Sequence, residues 1–474
     1  MTSGPRVASA TALLLALASL PTSAVAAPAD PSALSATSAT GRVEGRLPSG
    51  ATYMMDMPDG WNGTVLLFSH GYTTAGAPNP AQDAPDETTK ALLLKQGYAL
   101  AGSSYATTGW AVTDAVPDQL ATLTAFTDRF GEARRTIAWG RSYGGLVTTA
   151  IAERHADRID GSLSLCGLVQ GGVANWNNTL DPAFALKTLL APDSDIPLTG
   201  LPDQTAATRA ADALTAEVDA AQSTAAGRAR IALAAALHNI PVWNQPTQTR
   251  PAATDWDAQQ ANQYEAVKGL LKIAAFNRRQ EAESRAGGNM SWNTGVDYAK
   301  LLGRSSVRKE VDQLYRKAGL SLRDDLATLD RAPRISADPA AVAWMSGTSS
   351  FTGELTTPQL SVHTTGDALV PVQTESALRR AVTAAGSAPL LRQAYTDNAG
   401  HCTFSPAEQL AALHTLEARL TTGRWQGTDP RTLNSRARAA DPTTPARYVA
   451  YRPTPYLRPY DLAHPADGGS HDSH

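Results

Sequence analysis

Apolar and β-branched residues gather in short runs near both ends of this chain and give way in the middle to long stretches of helical spacing. Residues 65–69, 98–102, 135–139 and 159–165 form such runs in the first third, and residues 359–365 and 390–395 follow late. Runs of this length, bounded by glycine or polar residues, predict strands. Helical spacing over 145–154 and from about 406 to 420 predicts a helix after the third run and another after the last. The two hundred or so residues between 166 and 360 carry little strand character. An alanine-rich helix is predicted over 203–237, ended by Pro241, and another over 257–286, stopped by Gly287-Gly288. Shorter helices are predicted over 307–318 and 322–329.

The chemistry-bearing residues fall where strands end. Gly140-Arg141-Ser142-Tyr143-Gly144 lies between a predicted strand and a predicted helix. A G-x-S-x-G turn there holds its serine in a strained conformation, and its glycines let strand and helix approach closely. An ordinary helix N-cap would not require both glycines, so Ser142 is the candidate nucleophile. A serine hydroxyl needs a base, and the base an orienting acid. His401, on the loop after the strand over 390–395, is the candidate base. Asp367, just past the strand over 359–365, is the candidate acid. Asp397 competes for that role, but so close to His401 it is better suited to shaping the loop. His363 sits within an apolar strand and reads as a core histidine. His155, His238 and His414 read as surface residues, and His70 as a turn former. The oxyanion donors expected are the N–H of Tyr143 and that of Gly71 or Tyr72, after the strand over 65–69.

With His70-Gly71, the serine turn, Gly366-Asp367 and Gly400-His401 in this order, the chain resembles a secreted bacterial α/β-hydrolase over about residues 45–170 and 355–422. That resemblance implies an α/β class fold, a mostly parallel sheet flanked by helices, with a Ser142/Asp367/His401 triad. An insertion at this place commonly forms a lid, so residues 171–357 are expected to be a large helical cap between core segments 42–170 and 358–424. Tannases and bacterial feruloyl esterases are similar in pinning the histidine loop with a disulfide beside the triad. They differ in placing the partner cysteine immediately before the serine, where this chain has Arg141. Here the expected bond is Cys166–Cys402, with two buried free thiols as the alternative. Such a bridge would hold His401 in place.

Residues 1–26 read as a signal peptide: Arg6, an apolar run over 10–20 and Ala24-Val25-Ala26 as the cleavage site. The run is too short to span a bilayer, so the expectation is export with release to the extracellular space. Residues 27–41 read as a disordered lead-in and 425–474 as an extended tail packed on the body, disordered from Pro465 on. The formal net charge of −3, with no basic run interleaved with aromatics, disfavours nucleic-acid binding. Two cysteines and scattered histidines do not make a metal site. The expected enzyme is therefore a serine hydrolase without cofactor or metal, acting on a small-molecule or polymer ester: of an aromatic acid, a lipid, a polyester or a lactone. Candidate substrate contacts are Tyr105 and Trp110, with Thr107 and Thr108, and Trp176 and Asn177 in a loop that should overhang the site. The alternative activity is an exopeptidase whose cap carboxylates, Glu281 and Glu283 by position, would grip the peptide amine. A hydrolase-fold scaffold without turnover would not need all three triad residues.

Overall fold

A computed structural model describes Met1 and residues 41–460; the expected signal peptide, nearly all of the lead-in and the end of the tail lie outside the described residues. Nine strands form one sheet: β1 (Gly41–Arg46), β2 (Thr52–Met57), β3 (Thr64–Ser69), β4 (Ala99–Ser103), β5 (Arg135–Arg141), β6 (Gly161–Leu165), β7 (Gln359–Gly366), β8 (Leu391–Ala399) and β9 (Tyr448–Val449). Their spatial order is β1-β2-β4-β3-β5-β6-β7-β8-β9. The six from β4 to β8 run parallel, with β1 and β2 antiparallel on one edge and β9 antiparallel on the other. This is the α/β-hydrolase fold. β1 escaped the sequence reading because its polar, mostly exposed residues form no apolar run; in β2, Thr52 and Asp56 interrupt the apolar residues and only the second half is buried.

Helices cover both faces of the parallel strands. α1 (Glu87–Lys95), α2 (Val112–Phe130) and α3 (Tyr143–Arg154) follow β3, β4 and β5. The pleat explains the unbroken apolar runs. Val65 and Leu67 of β3 join one core layer with Leu123 of α2 and Leu146 of α3, while Leu66 and Phe68 join the other with Leu93 of α1.

Between β6 and β7 the chain is helical: α4 (Gly172–Leu190), α5 (Gln204–Gln222), α6 (Ala225–Ala236), α7 (Trp256–Leu270), α8 (Arg279–Ala286), α9 (Tyr298–Arg304), α10 (Arg308–Ala318), α11 (Leu322–Arg331) and α12 (Pro339–Ser349). The single helix expected over 203–237 is two, because the Thr224 hydroxyl accepts from Gly227 N and starts α6 afresh. The helix expected over 257–286 runs through, but Leu271–Arg278 is a π-helix joining α7 to α8. Gly287 in a left-handed conformation ends it.

The rest of the body holds α13 (Thr374–Ala384), α14 (Pro406–Thr422) and α15 (Pro430–Ala440). A capping box of Ser405 and Glu408 starts α14. The tail is thus not simply extended: it contains α15 and β9. Its last described turns then cross to the helices inserted after β6. Arg458 Nη1 lies 2.8 Å from both carboxylate oxygens of buried Asp181 on α4, and its Nη2 donates to Trp292 O. Tyr456 N donates to Ser376 Oγ on α13.

Candidate active site

Ser142 sits between the end of β5 and the start of α3 with φ 56° and ψ −123°. Left-handed φ at a non-glycine residue is costly and persists only where surroundings enforce it. Here Ser142 N donates to Leu165 O at 2.9 Å, and the flanking glycines leave no room for side chains. A Cβ on Gly140 would lie 2.3 Å from Gly144 O, and one on Gly144 1.9 Å from Ser69 O. Five non-glycine residues among those described have such a φ, and four of them surround this point: Tyr105, Ser142, Cys166 and Cys402.

Three side chains form a relay. Ser142 Oγ lies 2.7 Å from His401 Nε2, and His401 Nδ1 lies 2.6 Å from Asp367 Oδ2. Asp367 Oδ1 accepts from Leu369 N and Val370 N, both at 2.9 Å. Burial alone would raise the Asp367 carboxyl, but the imidazoles of His401 and His363 outweigh it and hold the group far below the usual carboxylate range. Asp397 is elsewhere engaged, with Arg250 and Thr365 Oγ1.

His363 is more than a packed core histidine. It is fully buried, donates from Nε2 to Val370 O at 2.8 Å, and faces Asp367 Oδ2 at 3.6 Å and Glu375 Oε1 at 3.4 Å. Burial would depress it, yet the two carboxylates raise it to about 9. Asp367 therefore serves two imidazoles. His238 also departs from expectation: it is buried against Asn178, because the residues after α6 are covered by the surrounding helices. His414 is partly buried and bonded to Gln96.

Cys166 and Cys402 are joined, with Cα atoms 5.4 Å apart. Cys402 Sγ approaches His401 Nε2 at 3.4 Å, and Arg141 Nη2 donates to Cys402 O at 3.0 Å. Arg141 and the disulfide thus hold the His401 loop from two sides. Cys166, Cys402 and His401 cluster closely, but with both sulfurs bonded to each other the group offers no thiolate to a metal.

Gly71 lies beside Ser142, where a Cβ would stand 3.8 Å from Ser142 Cβ. Tyr143 opens α3, and the first amides of a helix have no intrahelical acceptor. His70 is buried and stacked on Tyr105 at 4.0 Å between ring centres, with Nδ1 2.7 Å from Gly71 O. Tyr105 Oη donates to His70 O. Tyr105 is thus a support for the His-Gly loop and not a wall of the cavity, in contrast to its expected role.

A narrow cavity of about 30 Å³ opens on Ser142, lined by Tyr72, Trp110, Tyr143, Leu168, Asn175, Trp176, Thr179, Ala274, Arg278, Leu369 and Val370. Trp110 packs on Tyr143 and Trp176 at 5.3 and 5.1 Å, and Tyr72 meets Tyr143 edge-on at 5.9 Å. Trp110 and Trp176 both line the cavity, Trp176 from helix α4 and not from a loop. Asn177 points away; its Oδ1 accepts from Trp292 N. Thr107 and Thr108 lie on the surface side with Arg285. Glu281 accepts from Trp110 N and pairs with Arg285, while Glu283 pairs with Arg279 and accepts from Gly200 N. Neither lines the cavity. A larger cleft of about 380 Å³ opens at the opposite ends of the strands, near Thr136 and Asp160, far from Ser142.

Sequence reasoning missed Asn175, Thr179 and Arg278. Arg278 stands beside Arg279 in a charged helical stretch, where a solvated face is the default reading. Ala274 and Arg278, four residues apart on one helical face, both line the cavity, and residue type alone does not say what that face meets.

Residues 46–298 match a family described as the tannase-like family of unknown function (DUF6351). Over 430 residues the chain is 30% identical to an o-phthalyl amidase of Xanthobacter agilis, covering 86% of this chain and 93% of that protein. Among solved structures, feruloyl esterase B from Aspergillus oryzae aligns with a TM-score of 0.39 at 12% identity, over 81% of this chain and 82% of its own. An esterase from Aspergillus oryzae gives 0.37 at 12% identity, over 80% and 79%. Structural likenesses this slight add nothing to the topology already described.

Proposed function

We propose, from the premise that this chain belongs to the tannase-like family of unknown function, that it is a serine hydrolase working through an acyl-enzyme on Ser142. The chain is a hydrolase of the esterase or amidase kind; the serine mechanism, the bond cleaved and the acyl group are our reading. The single observation that carries it is the Ser142–His401–Asp367 relay, with contacts of 2.7 and 2.6 Å on a strained turn.

In the first half-reaction His401 Nε2 takes the Ser142 proton as Oγ bonds to the carbonyl carbon. The oxyanion receives N–H donors from Tyr143 and from Gly71 or Tyr72. Collapse breaks the bond to the leaving alcohol or amine, which departs with the proton from His401. Water then adds by the same route and releases the carboxylic acid. The aromatic walls formed by Tyr72, Trp110, Tyr143 and Trp176 favour an aromatic acyl group. The o-phthalyl amidase relative favours an amide as well as an ester. No carboxylate lines the cavity to hold a peptide amine, so an exopeptidase has no support.

The signal-peptide pattern and the disulfide favour export, and no helix among the described residues is long and apolar enough to cross a membrane. Residues 171–357 would act as the cap.

The test is labelling by a fluorophosphonate together with hydrolysis of benzoyl esters and benzoyl anilides, for wild type and Ser142→Ala. Labelling at Ser142 and turnover lost in the variant are expected. Turnover that survives Ser142→Ala would refute the reading.

A further inference from the structure

Arg278 is a cation in the substrate cavity with no anion to balance it. Its guanidinium carbon lies 4.4 Å from the centre of the Tyr72 ring. That ring contact is its only interaction among the described residues: it forms no ion pair and donates no hydrogen bond within the protein. Its neighbours are all committed. Arg279 donates to Trp176 O and Thr179 Oγ1 and pairs with Glu283, and Arg285 pairs with Glu281 and Asp114. A half-buried guanidinium stacked on one tyrosine keeps its planar fork of N–H donors free, and that fork matches a carboxylate.

The cavity also has a direction. The leaving group must reach His401 to take its proton, and His401 is not among the residues lining the cavity, whereas Ser142 and Tyr143 are. The enclosed space therefore holds the acyl part of the substrate. Arg278 belongs to that acyl side, on the π-helical segment that brings Ala274 and Arg278 to the same wall.

We infer that Arg278 anchors a second carboxylate on the acyl group, so that the substrates are half-amides or half-esters of dicarboxylic acids. This rests on the Ser142 acyl-enzyme reading. The product is the free dicarboxylic acid, and Arg278 is the residue that selects for it. The cation–π contact holds the guanidinium in place before substrate arrives.

The experiment uses anilides with a common leaving group: benzoyl, the 2-, 3- and 4-carboxybenzoyl isomers, and neutral 2-carbamoylbenzoyl. In the wild type one carboxybenzoyl isomer should exceed benzoyl in kcat/KM by about 100-fold, the scale of a charge-assisted bond to a buried fork. Arg278→Gln should collapse that ratio to below about tenfold, chiefly through KM, and Arg278→Lys should restore part of it. An independent check on the wild type needs no variant: the matching benzenedicarboxylate should inhibit competitively at far lower concentration than its diamide. A wild type that labels at Ser142 and hydrolyses benzoyl and carboxybenzoyl anilides alike overturns the inference alone. So does an Arg278→Gln variant that lowers all substrates in proportion. Absence of both labelling and turnover removes the hydrolase reading, and this inference with it.

Discussion

Asp367→Asn probes the relay at the point where one atom decides the outcome. Asp367 Oδ1 accepts from two backbone amides, Leu369 N and Val370 N. An asparagine there must keep its oxygen on those donors, which turns its NH₂ toward His401 Nδ1. Nδ1 then becomes an acceptor and the imidazole proton moves to Nε2, the atom that must take the proton of Ser142. An imidazole locked in the wrong tautomer costs about 10⁴ in kcat, or roughly 5.5 kcal/mol of barrier. The same substitution removes one of two anions facing buried His363. His363 is raised to about 9, so its contribution to stability is full below about pH 6.5 and is lost as pH rises through 9. A shift of that size is worth on the order of 3 kcal/mol. Asp367, held below its usual range, contributes the reverse: stability present above about pH 4 and lost in acid. Steady-state kinetics and calorimetric Tm from pH 5 to 10 should therefore show two changes in the variant: activity down about 10⁴, and a shallower alkaline decline in Tm, since only Glu375 remains beside His363. A variant within tenfold of wild-type activity, or Asp397→Asn costing more than Asp367→Asn, would refute the assignment of the acid.

Three further outcomes are expected. Reduction of Cys166–Cys402, verified by mass spectrometry, should lower kcat at least tenfold by freeing the His401 loop, and lower Tm; its chain-entropy contribution is at most about 5 kcal/mol. Unchanged turnover after full reduction would leave Arg141 alone holding that loop. Glu310→Gln should stabilise the protein by about 1–3 kcal/mol at neutral pH, measured by denaturant titration. Burial raises this carboxyl to about 8, only partly offset by the Gln263 side chain, and neither oxygen has a well-formed hydrogen bond among the described residues; it resists ionisation, so wild-type stability falls as pH rises from about 4.5 to 8, and a flat profile over that window would exclude the effect. Arg458→Gln should cost about 3–5 kcal/mol by leaving Asp181 buried without its cation. Adding Asp181→Asn should recover part of that loss, and strictly additive losses would deny the coupling.

The parallel strands were legible because burial on both faces writes a continuous apolar run. The serine turn was legible because only glycine fits at 140 and 144. Asp367 and His401 could be read from their places after strand ends, which parallel topology brings together. What stayed hidden depends on tertiary cover. β1 is a polar, mostly exposed edge strand, and α4 reads as a loop because it opens on glycines and asparagines, yet it is buried almost throughout. His238 looked exposed because helix periodicity does not say what covers a helix end. Arg278 was not singled out, because in a charged helical stretch residue type does not say which side chain meets a cavity.

The Arg458–Asp181 pair has a consequence for how the protein comes into being. Asp181 emerges from the ribosome some 277 residues before its partner. Until Arg458 is made, α4 carries an acid without its cation, and α4 is the helix that presents Trp176 to the cavity. The wall that carries Trp176 is therefore finished only after residue 458 has been made. A chain cut before Arg458 would hold Ser142, Asp367 and His401 yet leave Asp181 without its cation on the helix that carries Trp176, so an intact relay and an intact cavity wall are separable properties of this fold.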